Sequence, residues 1–401
     1  MAETTDILIS GGGIAGLTAA AAFAASGFQV ICVDPLPPAG KSGDADDPRT
    51  TAFLQPAQRF LERIGLWERL APHATALNVI RIVDATGPDS TAHVTKDFNA
   101  ADISDKPFGW NLPNRLVRRE IASHLAEIDM VDLRSGVASD RLLTRADEAR
   151  VHLSDGSTVI SKLVIAADGR DSPIRRAIGI DVKTRRYGQK ALTFAVTHPL
   201  AHANISIEIH RSGGPFTLVP MPDRDGLPCS AVVWMENGPT ALALADMEKT
   251  AFETEMAHRS AHVLGPLKLA THRSVWPIIG QIADRFSAAR VALIAEAAHV
   301  VPPIGAQGLN MSLGDIRTLL DLAKAMPNAL GAARMLDAYD RRRRIEDLAR
   351  AIGVDLLNRA SMSGNPILQK ARRHGLNALH TVKPAREMLM RLGLGTHERP
   401  F

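Results

Sequence analysis

The chain has 401 residues, of which 45% are hydrophobic, 22% charged and 4% aromatic, a globular composition that excludes a disordered or collagen-like polymer. Cys32 and Cys229 are too few for a disulfide framework, and no Cys-x-x-Cys or histidine cluster makes a zinc set, so no metal is expected. Lys and Arg number 47 against 43 Asp and Glu, a net charge of +4 that is compatible with anionic ligands or lipid head groups and gives no reason to expect a nucleic acid.

The chain opens polar and acidic, without the basic n-region of a secretory signal. Asp6-Ile7-Leu8-Ile9-Ser10 then reads as a strand, Gly11-Gly12-Gly13-Ile14-Ala15-Gly16 as a turn, and a small-residue helix runs to about Ser26 with Gly27 as its stop. A second strand over 28–33 ends at Asp34. This βαβ unit predicts a parallel sheet covered on both faces. The apolar stretch 17–25 is too short to span a bilayer and reads as a packed helix, so a cytoplasmic protein is expected. Cys32, inside Val30-Ile31-Cys32-Val33, is expected to be a buried, inert thiol.

From about 78 to 95 the pattern alternates (Val79, Ile80, Ile82, Val83), broken by the turn Gly87-Pro88-Asp89. Alternation recurs at 204–210, 216–220 and 230–234, between glycine- and aspartate-rich separators. These segments predict an antiparallel sheet in a second domain. Continuous apolar runs at 163–167 and 291–295 suit buried strands of the first sheet, and after Gly314 the chain reads as helices. The predicted class is α/β with an α+β second domain. A Rossmann-like, mostly parallel domain takes 1–75, 100–180 and 280–330; an antiparallel substrate domain takes 76–99 and 181–279; a helical segment takes 331–401.

Gly11-x-Gly13-x-x-Gly16 follows a strand and opens a helix, the arrangement that brings a pyrophosphate onto backbone N–H groups. Asp34 comes 34 − 16 = 18 residues after Gly16, where a carboxylate can accept bonds from ribose hydroxyls. Asp168-Gly169 closes the run at 163–167, and Ala295-Glu296-Ala297-Ala298-His299 closes another before Pro302-Pro303-Ile304-Gly305-Ala306-Gln307-Gly308-Leu309-Asn310. Acids at two further strand ends imply an extended ligand that crosses them. Each residue also has a plainer reading: Asp34 as a strand terminator, Arg49 as a surface turn, Asp168 as a helix N-cap, His299 as a structural histidine and the prolines as loop shaping. The four arginines at 341–344 read either as a solvated helix face or as a partner site, and Phe216, Leu218, Val219, Val232, Val233 and Trp234 either as a cavity wall or as core.

In this combination of motifs the chain resembles the FAD-dependent aromatic hydroxylases of the para-hydroxybenzoate hydroxylase type, most closely the ubiquinone-biosynthesis hydroxylases, from about Asp6 to Asp315. The resemblance implies that Gly11, Gly13, Ala15, Gly16 and Asp34 meet the ADP half of FAD and that Val137 also contacts the cofactor. It implies that Arg49, in Arg49-Thr50-Thr51-Ala52, and Asn114 face the cofactor, and that Asp168 and Gly169 serve the pyrophosphate region. Glu296 stands where the family has the aspartate that bonds the ribityl chain, and Gly305, Gln307, Gly308, Leu309 and Asn310 lie against the flavin. Three departures stand out: Ala295-Glu296 replaces Gly-Asp, Gly305-Ala306-Gln307-Gly308 replaces Ala-Gly-Gln-Gly, and Ser312 replaces a glycine.

The implied reaction is hydroxylation of a polyprenylated phenol through a flavin hydroperoxide, with NAD(P)H as electron donor and molecular oxygen as co-substrate. No general base is evident; backbone amides around Pro303, Gly305 and Ala306 are the catalytic candidates, with His299 a weaker one. Alternatives are another hydrophobic phenol, a flavin reductase or dehydrogenase acting on an isoprenoid, and a non-catalytic flavoprotein subunit. Other ubiquinone-biosynthesis proteins are implied partners. Leu376, Leu379, Met388, Leu389 and Leu392, interleaved with Arg372, Arg373, Lys383 and Arg386, suit either peripheral contact with the inner face of a membrane or an ordinary surface helix.

Overall fold

A computed structural model describes residues 2–36, 47–85 and 92–394; the turn Gly87-Pro88-Asp89 and residues 395–401 lie outside it. The first sheet runs Ser287–Ala288, Val291–Leu293, Thr158–Ala166, Glu3–Ser10, Val30–Asp34 and Val131–Ser135, with Ala149–Leu153 and Ser139–Thr144 added beside Thr158–Ala166. The five strands from Val291–Leu293 to Val131–Ser135 are parallel. Their inner residues, Ile7, Leu8, Ile9, Leu163, Val164 and Ile165, have no exposed surface, as continuous apolar strands covered on both faces require.

The helix Ile14–Ala24 is buried along nearly its whole length and so lacks an amphipathic period. Its run Ala19-Ala20-Ala21-Ala22 presents no bulk, which lets it pack between the sheet and the helices Asn114–Leu125 and Gln307–Ala325.

The second sheet runs His299–Val300, Ser274–Ala283, Val182–Thr197, Leu227–Asn237, Pro215–Arg224, Ile205–His210, Val79–Asp84 and Val94–Asn99. It is antiparallel except that Ile205–His210 pairs with Val79–Asp84 in parallel, an exception the alternation pattern does not encode. One face packs on the helix Lys249–Arg259. There Phe194 and Phe252, and Phe216 and Trp234, meet edge to face at 5.3 and 5.4 Å, geometry that adds about 0.5–1.5 kcal/mol per pair beyond burial. Phe216, Leu218, Val232 and Trp234 are therefore core and are not among the residues lining the large cavity described below.

A three-stranded sheet (Thr50–Leu54, Gly109–Pro113, Thr75–Leu77) lies between the two. The C-terminal part comprises the long helix Ala333–Met362 and the pair Pro366–Thr381 and Lys383–Leu394. The side chains of Arg372 and Arg373 lie outside the described ones. Among the described residues, no helix is long and apolar enough to cross a membrane.

Candidate cofactor and substrate site

Because the central strands are parallel, their C-terminal ends share one edge. Glu296, Asp168, the Gly11 loop and Asp34 follow one another along that edge in sheet order. Three strand spacings of about 4.8 Å spread them over about 15 Å, the reach of an elongated ligand at the carboxyl ends of a doubly wound sheet.

The loop geometry distinguishes the glycines. Gly11 has φ +113°, and a Cβ there would lie 2.3 Å from the Ala167 oxygen. A Cβ on Gly16 would lie 1.8 Å from the Gly11 oxygen, so both glycines are demanded by the fold itself. Gly13 differs: it is the N-cap of Ile14–Ala24, its φ of −69° suits any residue, and a Cβ would meet nothing within 4 Å. The helix that follows starts with no side-chain cap on its N–H groups.

Asp34 is buried and accepts hydrogen bonds from the Gly12 and Leu36 amides, the latter at 2.7 Å. The Val137 amide donates to the Asp34 carbonyl at 3.0 Å, which puts Val137 beside this acid. Burial pushes the neighbouring Cys32 thiol up to about 12, the inert sulfur expected of it. The side chain of Arg118, in the helix Asn114–Leu125, donates from Nε to the Gly12 oxygen at 3.1 Å. The sequence reading did not single it out, since no local signal brings a residue more than 100 positions away to the loop.

Asp168 accepts the Ile174 amide at 3.2 Å through Oδ2, while the N-cap of the short helix Pro173–Ala177 is Ser172. Its Oδ1 is buried without a partner, and burial raises its pKa. Gly169 follows at φ +86°. Glu296 is exposed and pairs with Arg170 at 3.3 Å. Arg49 is held by Asp47 through two 2.7 Å bonds and stacks 4.2 Å from the centre of the Trp276 ring, bridging to the second sheet. Asn114 accepts the Thr51 hydroxyl at 2.7 Å, fixing the helix start to that same strand.

Gly305 and Ala306 both adopt left-handed conformations before Gln307–Ala325, whose N-terminus has no side-chain cap. Asn310 braces this start by donating to the Ala52 oxygen at 2.8 Å and accepting the Leu54 amide at 2.9 Å. Gln307 donates to the Gly305 oxygen and accepts from Arg350; Gly308 accepts from Ser312; Leu309 packs on the main core. Pro303 precedes this loop, exposed, next to buried Pro302 and Ile304. Ala295 is also left-handed, at φ +55°. The two alanines that depart from the family pattern therefore sit where glycine costs least. Ala295→Gly and Ala306→Gly are each expected to raise the unfolding free energy by about 0.5–1 kcal/mol, the relief of left-handed strain less the added freedom of the unfolded chain. Urea unfolding checks this.

His299 is buried in a cluster of its own. Its Nε2 lies 2.8 Å from Asp315 Oδ2, and Asp315 also accepts the Ala295 amide at 3.1 Å and Arg343 Nε at 2.8 Å. Arg343 closes on Asp347 as well. All four side chains are buried, so the run 341–344 is not a uniformly solvated face: Arg343 turns inward while its three neighbours stay exposed. His299, Asp315 and Asp347 are grouped closely enough to suggest a cation, and the Arg343 guanidinium already supplies one. The cluster ties the Glu296 turn to two helices and is a brace, with no place in it for substrate.

A cavity of about 1760 Å³ joins Gly305 and Gln307 to the second sheet and the C-terminal helices. Its walls are mainly apolar, including Leu54, Ile80, Ile82, Phe98, Phe108 and Leu376. A polar patch interrupts them, where Glu208 Oε1 lies 2.8 Å from His210 Nε2 and Asp84 stands opposite His210 in register. Alternation explains this: Ile207 and Ile209 point into the core while Glu208 and His210 face the cavity.

The profile of the family described as "FAD binding domain" matches residues 4–351. Ubiquinone hydroxylase UbiL of Rhodospirillum rubrum is 31% identical over 98% of this chain and 90% of its own length. The 3-demethoxyubiquinol 3-hydroxylase of Escherichia coli is 26% identical over 98% of this chain and 99% of its own. Among solved structures, p-nitrophenol 4-monooxygenase PnpA from Pseudomonas putida superposes with a TM-score of 0.80 at 20% identity, covering 99% of this chain and all of that one.

Proposed function

The chain belongs to the FAD binding domain family, and on that premise we propose that it is an FAD-dependent monooxygenase that hydroxylates the ring of a polyprenylated phenol on the route to ubiquinone. The observation that carries the substrate class is the cavity. Its volume of about 1760 Å³ exceeds the 300–1,000 Å³ usual for small-molecule pockets and suits a ring bearing a long apolar chain. Similarity to UbiL and to the E. coli hydroxylase supports the pathway.

The residues present fit FAD. The space over Gly13 admits a pyrophosphate, Arg118 adds positive charge there, and the orphaned Asp168 Oδ1 offers a buried acceptor. Asp34 would take the adenosine ribose beside Val137, and Glu296, Arg49 and Asn114 would flank the remainder. Bound FAD would supply hydride acceptance from NAD(P)H and reaction with molecular oxygen. The uncapped amides at the start of Gln307–Ala325 would stabilise negative charge on the ring system, in the manner of an oxyanion hole. The apolar walls exclude water, and the Glu208–His210 patch would receive the phenolic hydroxyl. We place the FAD-binding part in 1–75, 100–180 and 280–330 and the substrate part in 76–99 and 181–279. We also place the protein in the cytoplasm, peripheral on the inner face of a membrane through the basic C-terminal segment, with other ubiquinone-biosynthesis proteins as partners.

Quinone lipids from cells lacking this gene test the reading by mass spectrometry. A precursor short of one ring oxygen should accumulate as ubiquinone falls. An unchanged lipid profile would remove the ubiquinone assignment.

A further inference from the structure

Exposed large aliphatic side chains are concentrated in one part of the molecule. Of sixteen among the described residues, eleven lie between Ile345 and Leu392. On the long helix Ala333–Met362, Ile345, Leu348, Ile352 and Leu356 are 69%, 43%, 53% and 60% exposed. Their spacing of three, four and four puts them in one stripe about 16 Å long. A helix packed only against its own protein turns such a stripe inward. Here the inward face is already taken by Met335, Tyr339, Arg343, Asp347 and Val354, so the outer stripe is surplus to folding.

The stripe adjoins the cavity. Leu357 of the same helix and Leu379, Leu389 and Leu392 of the C-terminal pair all line the cavity while remaining 42–59% exposed, which makes them its rim. Arginines border that rim. Arg59 and Arg342 line the cavity and are exposed, Arg341 sits beside the stripe, and none of the three makes an ion pair among the described residues.

We propose that this face, the outer stripe of Ala333–Met362 together with the rim leucines, docks on an anionic lipid bilayer and opens the cavity to it, so that a membrane-dissolved substrate enters without crossing water. Two observations select a bilayer over a protein partner: the apolar surface is continuous with an apolar cavity, and the charge beside it is of the sign that attracts anionic head groups. The entry route rests on the proposed function; the docking itself does not.

The test is flotation of the FAD-loaded, full-length protein with vesicles of phosphatidylcholine alone or with one-third phosphatidylglycerol. Binding to the anionic vesicles, weakening as salt rises, is expected. Ile345→Glu, Ile352→Glu and Leu356→Glu combined should abolish flotation with flavin absorbance and thermal unfolding unchanged, because these side chains are solvent-exposed. Arg341→Glu with Arg342→Glu should weaken binding at least about tenfold. Failure of the parent protein to float, or flotation of the triple variant at the parent's level, would overturn the proposal. So would a parent dimer that the triple variant makes monomeric without vesicle binding, which would make the face a contact between copies. A protein that floats normally yet hydroxylates no phenol would retain the docking face and lose the proposed function, so the two failures are distinct.

Discussion

Asp315→Asn is expected to destabilise the fold by about 3–5 kcal/mol, while Asp347→Asn, in the same buried cluster, should stabilise it near neutral pH. Asp315 accepts from His299, Arg343 and the Ala295 amide. An amide there would turn one acceptor into a donor and remove the buried carboxylate that His299 and Arg343 Nε share. Asp347 is different. Burial and the adjacent Asp315 charge push it up to about 8, so folding near neutrality must protonate it, a cost that the nearly isosteric asparagine does not carry. Asp315 is lowered to about 2 by His299 and Arg343, against the opposing effect of its burial.

The pH dependence follows from these shifts. Asp347's folded pKa of about 8 lies above its ordinary value of 3.8, so its contribution is full below pH 3.8 and is lost as pH rises through 8. His299 is raised, against the opposing effect of its burial, chiefly by the Asp315 charge, and acts in the same direction above its ordinary 6.5. Asp315's contribution is present above 3.8 and is lost as pH falls towards 2. The parent should therefore lose stability from about pH 4 to 8, most steeply above 6.5 where His299 adds to Asp347, and Asp347→Asn should flatten that decline. Urea unfolding at intervals from pH 6 to 9 reads both effects. Equal losses from the two asparagine variants would show that both carboxylates are ionised in the fold.

Local signals in the sequence account for the parts of the site that lie in short contiguous segments. Strand, glycine turn, helix and strand follow one another from Glu3 to Asp34, and each step has its own signature in spacing or in turn residues. Periodicity reports which face of a strand is buried but not against what. The alternation through Phe216, Leu218 and Trp234 thus suited a cavity wall and core equally, and the structure puts all three against the helix Lys249–Arg259. Alternation puts Glu208 and His210 on the face opposite Ile207 and Ile209, and only the packing of the whole molecule shows that this face lines the cavity. The buried cluster was illegible for a related reason. Arg343 looks like its three neighbours, and only the packing of two helices separated by a loop brings it to Asp315.

The glycine loop offers a prediction in which fold and ligand pull apart. Gly13→Ser should leave the FAD-free protein as stable as the parent or slightly more so, because serine is a preferred N-cap, Gly13 is the N-cap of Ile14–Ala24 and its added Cβ meets nothing. The same change should weaken FAD binding at least about 100-fold, about 2.7 kcal/mol, since the side chain fills the space over the helix start and its hydroxyl occupies amides the pyrophosphate would use. Gly16→Ser should instead damage the fold before any ligand is added, its Cβ falling 1.8 Å from the Gly11 oxygen. Urea unfolding of the FAD-free proteins, with fluorescence titration by FAD, separates the two. If Gly13→Ser bound FAD as tightly as the parent, the cofactor would not approach the backbone there, and the open space would need another occupant. A Gly13→Ser protein that was unstable without FAD would mean that the chain itself closes the space beside Gly13. Only the expected pair, a sound fold with lost affinity at Gly13 and a broken fold at Gly16, assigns one glycine to the ligand and the other to the packing of helix on strand.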